Sequence, residues 1–138
     1  MSAGDNYPKA AEKHLDDARV LLTRGRFDGA GYLAGYSVEC VLKTLIEVEH
    51  KGVPQIHDLS KLSLKASQLA AQQAQRTARY IKTPDVTSLQ YGRPGGWEET
   101  LRYSPPGTVS QADAGAWVAE AERLHREVIV QMRLDGVI

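Results

Sequence analysis

The sequence has little of several features that define common classes of protein. Its 138 residues include one cysteine, Cys40, which excludes an internal disulfide and a zinc site built from several cysteines. No run approaches the roughly 20 apolar residues that a membrane-spanning helix needs, and the first residues lack the apolar core of a signal peptide. Seventeen basic residues balance seventeen acids, which excludes a strongly basic nucleic-acid binder. We therefore expect one domain over residues 1–138, with no membrane contact, in a reducing, cytoplasmic setting.

Positive charge is concentrated in residues 58–83. This part of the chain holds five basic residues and one acid, a local excess of four. The basic residues are Lys61, Lys65, Arg76, Arg79 and Lys82. Such a patch can attract a phosphate backbone, or it can be the solvated face of a helix, which is the interpretation we favour.

Apolar residues recur at helical spacing near the start of the chain. The positions on this face are Tyr7, Ala11, His14, Leu15, Ala18, Leu21 and Leu22. Pro8 is tolerated in the first turn of a helix, and Gly25 is a typical stop. The pattern therefore predicts a first helix over about 7–24.

The segment from Asp28 to about His50 is the most informative part of the sequence. Asp28 is a candidate N-cap. Three ionisable residues, Glu39, Lys43 and Glu47, recur every four residues on one narrow stripe, and almost everything else is apolar or small. So wide an apolar arc predicts a helix that is covered on more than one side and exposes little beyond that stripe. It is either the central helix of a bundle or a helix shared with another subunit.

Small residues predict a close contact on this second helix. A glycine within a helix costs about 1 kcal/mol relative to alanine, so we expect Gly31 and Gly35 to be there for packing. With Ala30 and Ala34 they form a surface against which a second backbone could pack closely.

The rest of the chain divides into a helical region, a loop and a final helix. Asp58 is a good N-cap for a helix that either runs on to about Ile81 or breaks near Ser67. Prolines and glycines make residues 82–109 mainly loop, and Ser110 opens the last helix. The buried stripe of that helix comprises Trp117, Ala121, Leu124, Val128 and Met132. No window alternates like a strand, so the sequence predicts an all-α fold, a four- to five-helix up-and-down bundle.

Few residues qualify as candidates for chemistry. No histidine has metal-ligand spacing and no glycine-rich phosphate loop follows a strand, so we expect no metal and no cofactor. His14 and His125 lie on or beside apolar faces and are predicted to be satisfied core residues. His57, in a loop at a helix start, either holds that loop in place or serves the function. Cys40 is predicted to behave as a small apolar residue within its helix.

Arg102 and Tyr103 stand in the irregular segment. Arginine suits planar contacts to phosphate and tyrosine suits stacking on a base, so the pair is a candidate binding element. The equal alternative is that the pair pins the loop to the bundle.

The run from Arg26 to Ile46 resembles the central helix of HEPN-domain proteins. There, an aromatic–Leu-Ala-Gly-Tyr segment leads into a Val-Glu-Cys core followed by Leu-Lys, as in the YLAGYSVECVLK of this chain. The sequence His57-Asp58-Leu59 and the later pair Arg102-Tyr103 add to the resemblance, which covers most of the chain. It implies a four- or five-helix bundle, commonly a homodimer. Bacterial members are often encoded beside a small nucleotidyltransferase as a toxin–antitoxin pair.

Many HEPN domains cleave RNA without a metal ion, using an arginine, four to six intervening residues and a histidine. No arginine lies at that distance before any of the four histidines of this chain. We therefore expect a dimerising module that binds a nucleotide or a partner protein. Its candidate contact residues are Glu39, Lys43, His57, Arg102 and Tyr103.

Two alternatives remain open at this stage. One is a metal-independent RNA-cleaving toxin, in which His57 acts as general acid or base and Arg102 stabilises the phosphorane charge. The other is a purely structural interaction subunit, in which the polar stripe of the second helix lines a dimer seam.

Overall fold

Helices alone make up the regular structure of the described residues. The computed structural model describes residues 6–50, 52–73, 76–80 and 89–138, and no strand occurs within these ranges. The helices are α1 (Tyr7–Thr23), α2 (Phe27–Glu49), α3 (Leu59–Gln73), α4 (Gln111–Leu124) and α5 (Gln131–Leu134). A π-helical segment, His125–Val130, joins α4 and α5, and 3-10 turns lie at Ala78–Tyr80 and Glu99–Tyr103. The predicted all-α bundle is confirmed.

α1 begins and ends at the residues that cap it. The side chain of Asn6 accepts a hydrogen bond from the N–H of Lys9 at 3.1 Å, which satisfies a free donor of the first turn. At the other end Gly25 has a φ of +74°, and its N–H donates to the carbonyl oxygen of Leu22. A glycine in this left-handed conformation ends a helix and turns the chain. The predicted helix over about 7–24 is confirmed.

α2 is the central helix, as its wide apolar arc predicts. It packs against α1, α3, α4 and the 3-10 turn at Glu99–Tyr103. The expectation that its polar stripe faces water is wrong, because Glu39 and Lys43 are only 4% and 5% exposed. Two other segments of the chain cover these side chains. The ring of Tyr7 in α1 lies against Lys43, and His57, just before α3, contacts Glu39.

Gly31 and Gly35 of α2 each receive an indole ring. A Cβ built on Gly35 would overlap the ring of Trp97, and one built on Gly31 would lie 2.9 Å from the ring of Trp117. Both tryptophans are buried. The predicted close packing is therefore real, but for these two glycines the predicted partner is wrong, since each makes room for a large side chain.

α3 differs from both predicted forms. The carboxylate of Asp58 accepts a hydrogen bond from the N–H three residues on, at 3.1 Å, so the predicted cap is confirmed. The helix passes Ser67 without a break and is described to Gln73. Ala78–Tyr80 is already a 3-10 turn, so α3 does not reach Ile81, which itself lies outside the described residues.

The final helix follows its predicted stripe. Its five predicted apolar positions are all buried, and the hydroxyl of Ser110 accepts a hydrogen bond from the N–H of Asp113 at 3.0 Å. His125 opens the π-helical segment, where one extra residue per turn shifts the register of the side chains.

Asp28 does not cap α2, contrary to the prediction. The N-cap is Arg26, whose side chain makes no capping hydrogen bond. The carboxylate of Asp28 instead accepts hydrogen bonds from the N–H groups of Gly107 (2.8 Å) and Val109 (2.9 Å). These two donors lower the pKa of Asp28 below its ordinary value of 3.8. The residue thus holds the segment before α4 against the start of α2.

Replacing Gly35 by alanine is expected to destabilise the fold by about 3 kcal/mol, because the new methyl group collides with a fully buried indole. Gly115→Ala is the matched control, since no atom lies within 4 Å of a Cβ at that helical position. The control is expected to gain about 0.5–1 kcal/mol from helix propensity. Urea unfolding measures both values. Equal stability of the two variants would show that Trp97 does not occupy the space beside Gly35.

Asp28→Ala is expected to cost about 1 kcal/mol at neutral pH, since two backbone donors lose a charged acceptor. The folded pKa is lowered, so the contribution is complete above the ordinary value of 3.8 and is lost as the pH falls through the folded value. Urea unfolding from neutral to acid pH should therefore show the wild type and the variant converging at the acid end. Asp17→Ala, which removes an exposed carboxylate, is the control, and its difference from wild type should not follow this course.

Candidate functional site

Three of the predicted site residues form a connected group inside the bundle. The carboxylate of Glu39 accepts from Nζ of Lys43 at 3.1 Å through Oε2 and contacts Nδ1 of His57 at 2.9 Å through Oε1. The side chains of Lys43 and Glu39 are 6% and 5% exposed, whereas that of His57 is 45% exposed. We call this group the Glu39 triad. It connects a buried ion pair to an imidazole at the surface.

Local sequence explains how the Glu39 triad forms. Glu39 and Lys43 stand one helical turn apart, in the order that favours an ion pair on a helix. The ring of Tyr7, from the first turn of α1, covers the ammonium group at 5.8 Å, a distance typical of a cation–π contact. His57 immediately precedes the N-cap of α3, and the buried Leu59 fixes that helix start. The starts of two helices thus converge on one buried ion pair.

A half-buried tyrosine, Tyr36, extends the site beyond the triad. Its ring centroid lies 5.9 Å from that of His57, 6.0 Å from that of His14 and 5.3 Å from that of Trp97. Burial raises the pKa of Tyr36, and its hydrogen bond to the Tyr32 hydroxyl raises it further. The phenol therefore keeps its proton at any physiological pH.

Trp97 anchors the irregular segment to α2. It is fully buried, and its Nε1–H donates to the carbonyl oxygen of Tyr32 at 3.0 Å. Trp97 therefore fixes this segment to the bundle, a role that the sequence offered as one of two interpretations of Arg102 and Tyr103. The structure leaves that pair exposed: Tyr103 is 76% exposed, and the Arg102 guanidinium lies 5.0 Å from its ring centroid.

Arg102 is an exposed cation at the edge of the site. The neighbouring phenol of Tyr103 raises its pKa, and the hydroxyls of Tyr32 and Tyr36 act on it in the same direction. Arg102 in turn favours the ionised form of Tyr36, the ring that also contacts His57. His57 and Arg102 therefore both act on Tyr36, His57 through a ring contact and Arg102 through its charge.

Glu99 is a site residue that the sequence did not suggest. Burial alone would raise its pKa, but a hydrogen bond from the Tyr91 hydroxyl at 2.7 Å and the charges of His57 and Arg102 lower it. Glu99 is therefore an anion that interacts electrostatically with both His57 and Arg102. No short-range sequence pattern identifies Glu99 or Tyr91 as site residues. Tyr36 could have been predicted from the sequence, because it lies three residues before Glu39 on the same face of α2.

Two further histidines and the cysteine have shifted pKa values. Both His14 and His125 are half-buried, and desolvation lowers the pKa of each. Nε2 of His125 is buried without a hydrogen-bond partner among the described residues, so this histidine is not the satisfied core residue expected. Burial raises the pKa of the Cys40 thiol to about 12, which keeps it protonated. No group of three or more potential metal ligands occurs in the described part of the chain.

The basic patch is only partly described. Lys61 and Arg76 are exposed, as expected for a solvated face, and Arg79 lies 3.7 Å from Asp135 in an ion pair. Lys82 lies outside the described residues. The described members therefore fit the solvated interpretation at least as well as a phosphate-binding one.

Comparisons with known proteins identify a family. The model of the HEPN domain matches residues 7–131, nearly the whole of this chain. Neither the curated proteins nor the solved structures give a match. Within the described residues, no helix has the length and apolar character needed to cross a membrane.

Proposed function

The chain belongs to the HEPN domain family, and we propose that it is a dimerising module that binds a nucleotide at the surface formed by His57, Arg102 and Tyr103. One observation carries the proposal. A half-exposed imidazole, oriented at 2.9 Å by a buried carboxylate, contacts the ring of Tyr36 on α2, and the 3-10 turn that carries the exposed Arg102 packs against the same helix. This arrangement offers one oriented ring and one permanent cation to a ligand that carries both polar groups and negative charge.

Arg102 and Tyr103 suit the two ends of a nucleotide. The guanidinium is fully charged at any physiological pH and forms paired hydrogen bonds with phosphate oxygens. The phenol ring of Tyr103 is largely exposed, and stacking of a base on such a ring contributes about 1–3 kcal/mol. Neither side chain is needed to hold the loop, because Trp97 does so.

Arg102→Ala is expected to weaken nucleotide binding at least tenfold, since it removes the cation that meets the phosphate. Tyr103→Ala should weaken the binding of AMP but leave that of inorganic phosphate unchanged, because phosphate has no base to stack. Isothermal titration with ATP, AMP and inorganic phosphate measures these affinities. Arg126→Ala, an exposed arginine on the π-helical segment, is the control and should bind as wild type does. Equal affinity of Arg102→Ala and Arg126→Ala would contradict the proposal.

RNA cleavage remains the second candidate, and one feature favours it. An imidazole oriented by a carboxylate is the usual form of a general base or acid, and Arg102 could stabilise a phosphorane. The arginine–histidine spacing of the cleaving members is absent. Incubating the protein with total RNA in the presence of a chelator separates the two. Cleavage that both His57→Ala and Arg102→Ala abolish would replace our preference with this function.

A purely structural role loses its original support. The polar stripe of α2 cannot line a dimer seam through Glu39 and Lys43, because both are buried within the chain. If the protein is only a structural subunit, no nucleotide should raise its unfolding temperature. A small nucleotidyltransferase as partner stays a proposal that rests on the family alone, and co-purification with a neighbouring gene product would test it.

The proposed homodimer has a different candidate surface. Leu134 is 76% exposed and lies one helical turn after the exposed Val130, and Ile138 follows. Neighbouring exposed apolar side chains often mark a contact with another protein.

Leu134→Glu is therefore expected to convert a dimer into a monomer, because it places a charge in the apolar contact. The molar mass from light scattering after gel filtration measures this. Leu64→Glu, at a similarly exposed leucine on α3, should remain dimeric. A wild-type protein that is monomeric at high micromolar concentration would exclude the dimer.

A further inference from the structure

The buried carboxylate of Glu39 lies between two groups that can carry a positive charge, Lys43 and His57. Oε2 of Glu39 takes Lys43 and Oε1 takes His57, so each oxygen has one partner. We propose that Lys43 is a positioning residue: by neutralising Glu39 it keeps the His57 ring uncharged, with its proton on Nδ1 and its lone pair on Nε2.

The burial of the pair supports this assignment of charge. A carboxylate that is 5% exposed is costly to bury unless a positive charge compensates it. Lys43 supplies one full charge from the same helix, under the ring of Tyr7. A second positive charge on His57 would leave the Glu39 triad with a net charge at the edge of the core. Because Lys43 already compensates the charge of Glu39, the carboxylate does not need a second proton on His57 for compensation.

The other charged groups near the ring oppose one another. The charges of both His57 and Arg102 lower the pKa of Glu99 on the 3-10 turn, so this carboxylate has Arg102 as a counter-ion besides His57. The Tyr91 hydroxyl donates to Glu99 and disperses its charge further. On the α1 side, His14 has its pKa lowered by burial and by Lys13, so it adds no positive charge there.

Geometry then fixes the tautomer. An ionised carboxylate only accepts hydrogen bonds, so Nδ1 of His57, at 2.9 Å, must carry a proton. In the uncharged ring this leaves Nε2 as an acceptor, on a side chain that is 45% exposed. With Lys43 absent, Glu39 would have only His57 as its counter-ion, and the ring would take a second proton.

The consequence for the ligand rests on the proposed function. An uncharged ring with an accepting Nε2 meets a group that donates a hydrogen bond, such as a sugar hydroxyl or a base N–H. It does not serve as the cation for a phosphate, and that part is left to Arg102. His57→Ala should therefore weaken the binding of AMP without weakening that of inorganic phosphate.

Nitrogen-15 NMR of the histidine side chains tests the proposal without any ligand. His57→Gln assigns the signals, and His14, His50 and His125 are internal references. At neutral pH the wild type should show His57 with a protonated Nδ1 and a bare Nε2. Lys43→Met should show both nitrogens of His57 protonated, with the signals of the other three histidines in place. Lys43→Arg should restore the wild-type spectrum, because it restores the charge.

A second variant covers the case in which Lys43→Met does not fold. Glu39→Gln/Lys43→Met replaces the buried ion pair by two neutral groups, and it should fold and show an uncharged His57 with a weakened preference for the Nδ1 tautomer. A wild-type ring with its proton on Nε2, or a Lys43→Met ring that stays uncharged, would overturn the proposal. Because no nucleotide is present, these results stand apart from the titrations that decide whether the site binds one.

Discussion

The rest of the site depends on the buried ion pair between Glu39 and Lys43. Two charges one turn apart in the middle of a central helix must be covered, and covering them costs desolvation that good geometry has to repay. The pair therefore constrains its surroundings: the first turn of α1 supplies the ring over Lys43, and the segment before α3 supplies the imidazole at Glu39. The Glu39–Lys43 pair, which the sequence predicts to be a solvent-exposed stripe, is instead buried and brings two distant segments of the chain together.

A second constraint, the indole in the groove at Gly35, decides where the arginine goes. The segment from residue 89 to α4 contains little regular structure, and Asp28 holds its end at residues 107–109, so its middle needs an anchor of its own. One fully buried tryptophan, hydrogen-bonded to a carbonyl oxygen of α2, supplies that anchor. The next residues then form a 3-10 turn that leaves Arg102 and Tyr103 in water. Rigid packing at one residue thus frees its neighbours for binding, a common division in functional loops.

The helices could be predicted from the sequence, whereas what covers them could not. Periodicity and capping residues place α1, α2 and the last helix to within a residue or two, because both signals are local. Apart from the end of α3, the wrong predictions about helix contacts share one cause, which is that each concerned a partner far along the chain. Asp28 looks like a cap, yet it holds residues 107–109. Gly35 looks like a helix–helix contact, yet its partner is Trp97. The pattern of apolar and polar residues indicates which face of a helix is buried. It does not indicate which other segment of the chain packs against that face.

The candidate site shows the same limit and also how a site can be assembled without a short motif. In the RNA-cleaving members an arginine and a histidine are brought together by their spacing on one segment. Here His57 and Arg102 lie on separate segments: His57 contacts Tyr36 on α2, and the 3-10 turn that carries Arg102 packs against the same helix. A motif on one helix survives small shifts between helices, but an assembled site does not. The buried ion pair and the anchored tryptophan are therefore as important to this site as the side chains that would touch a ligand.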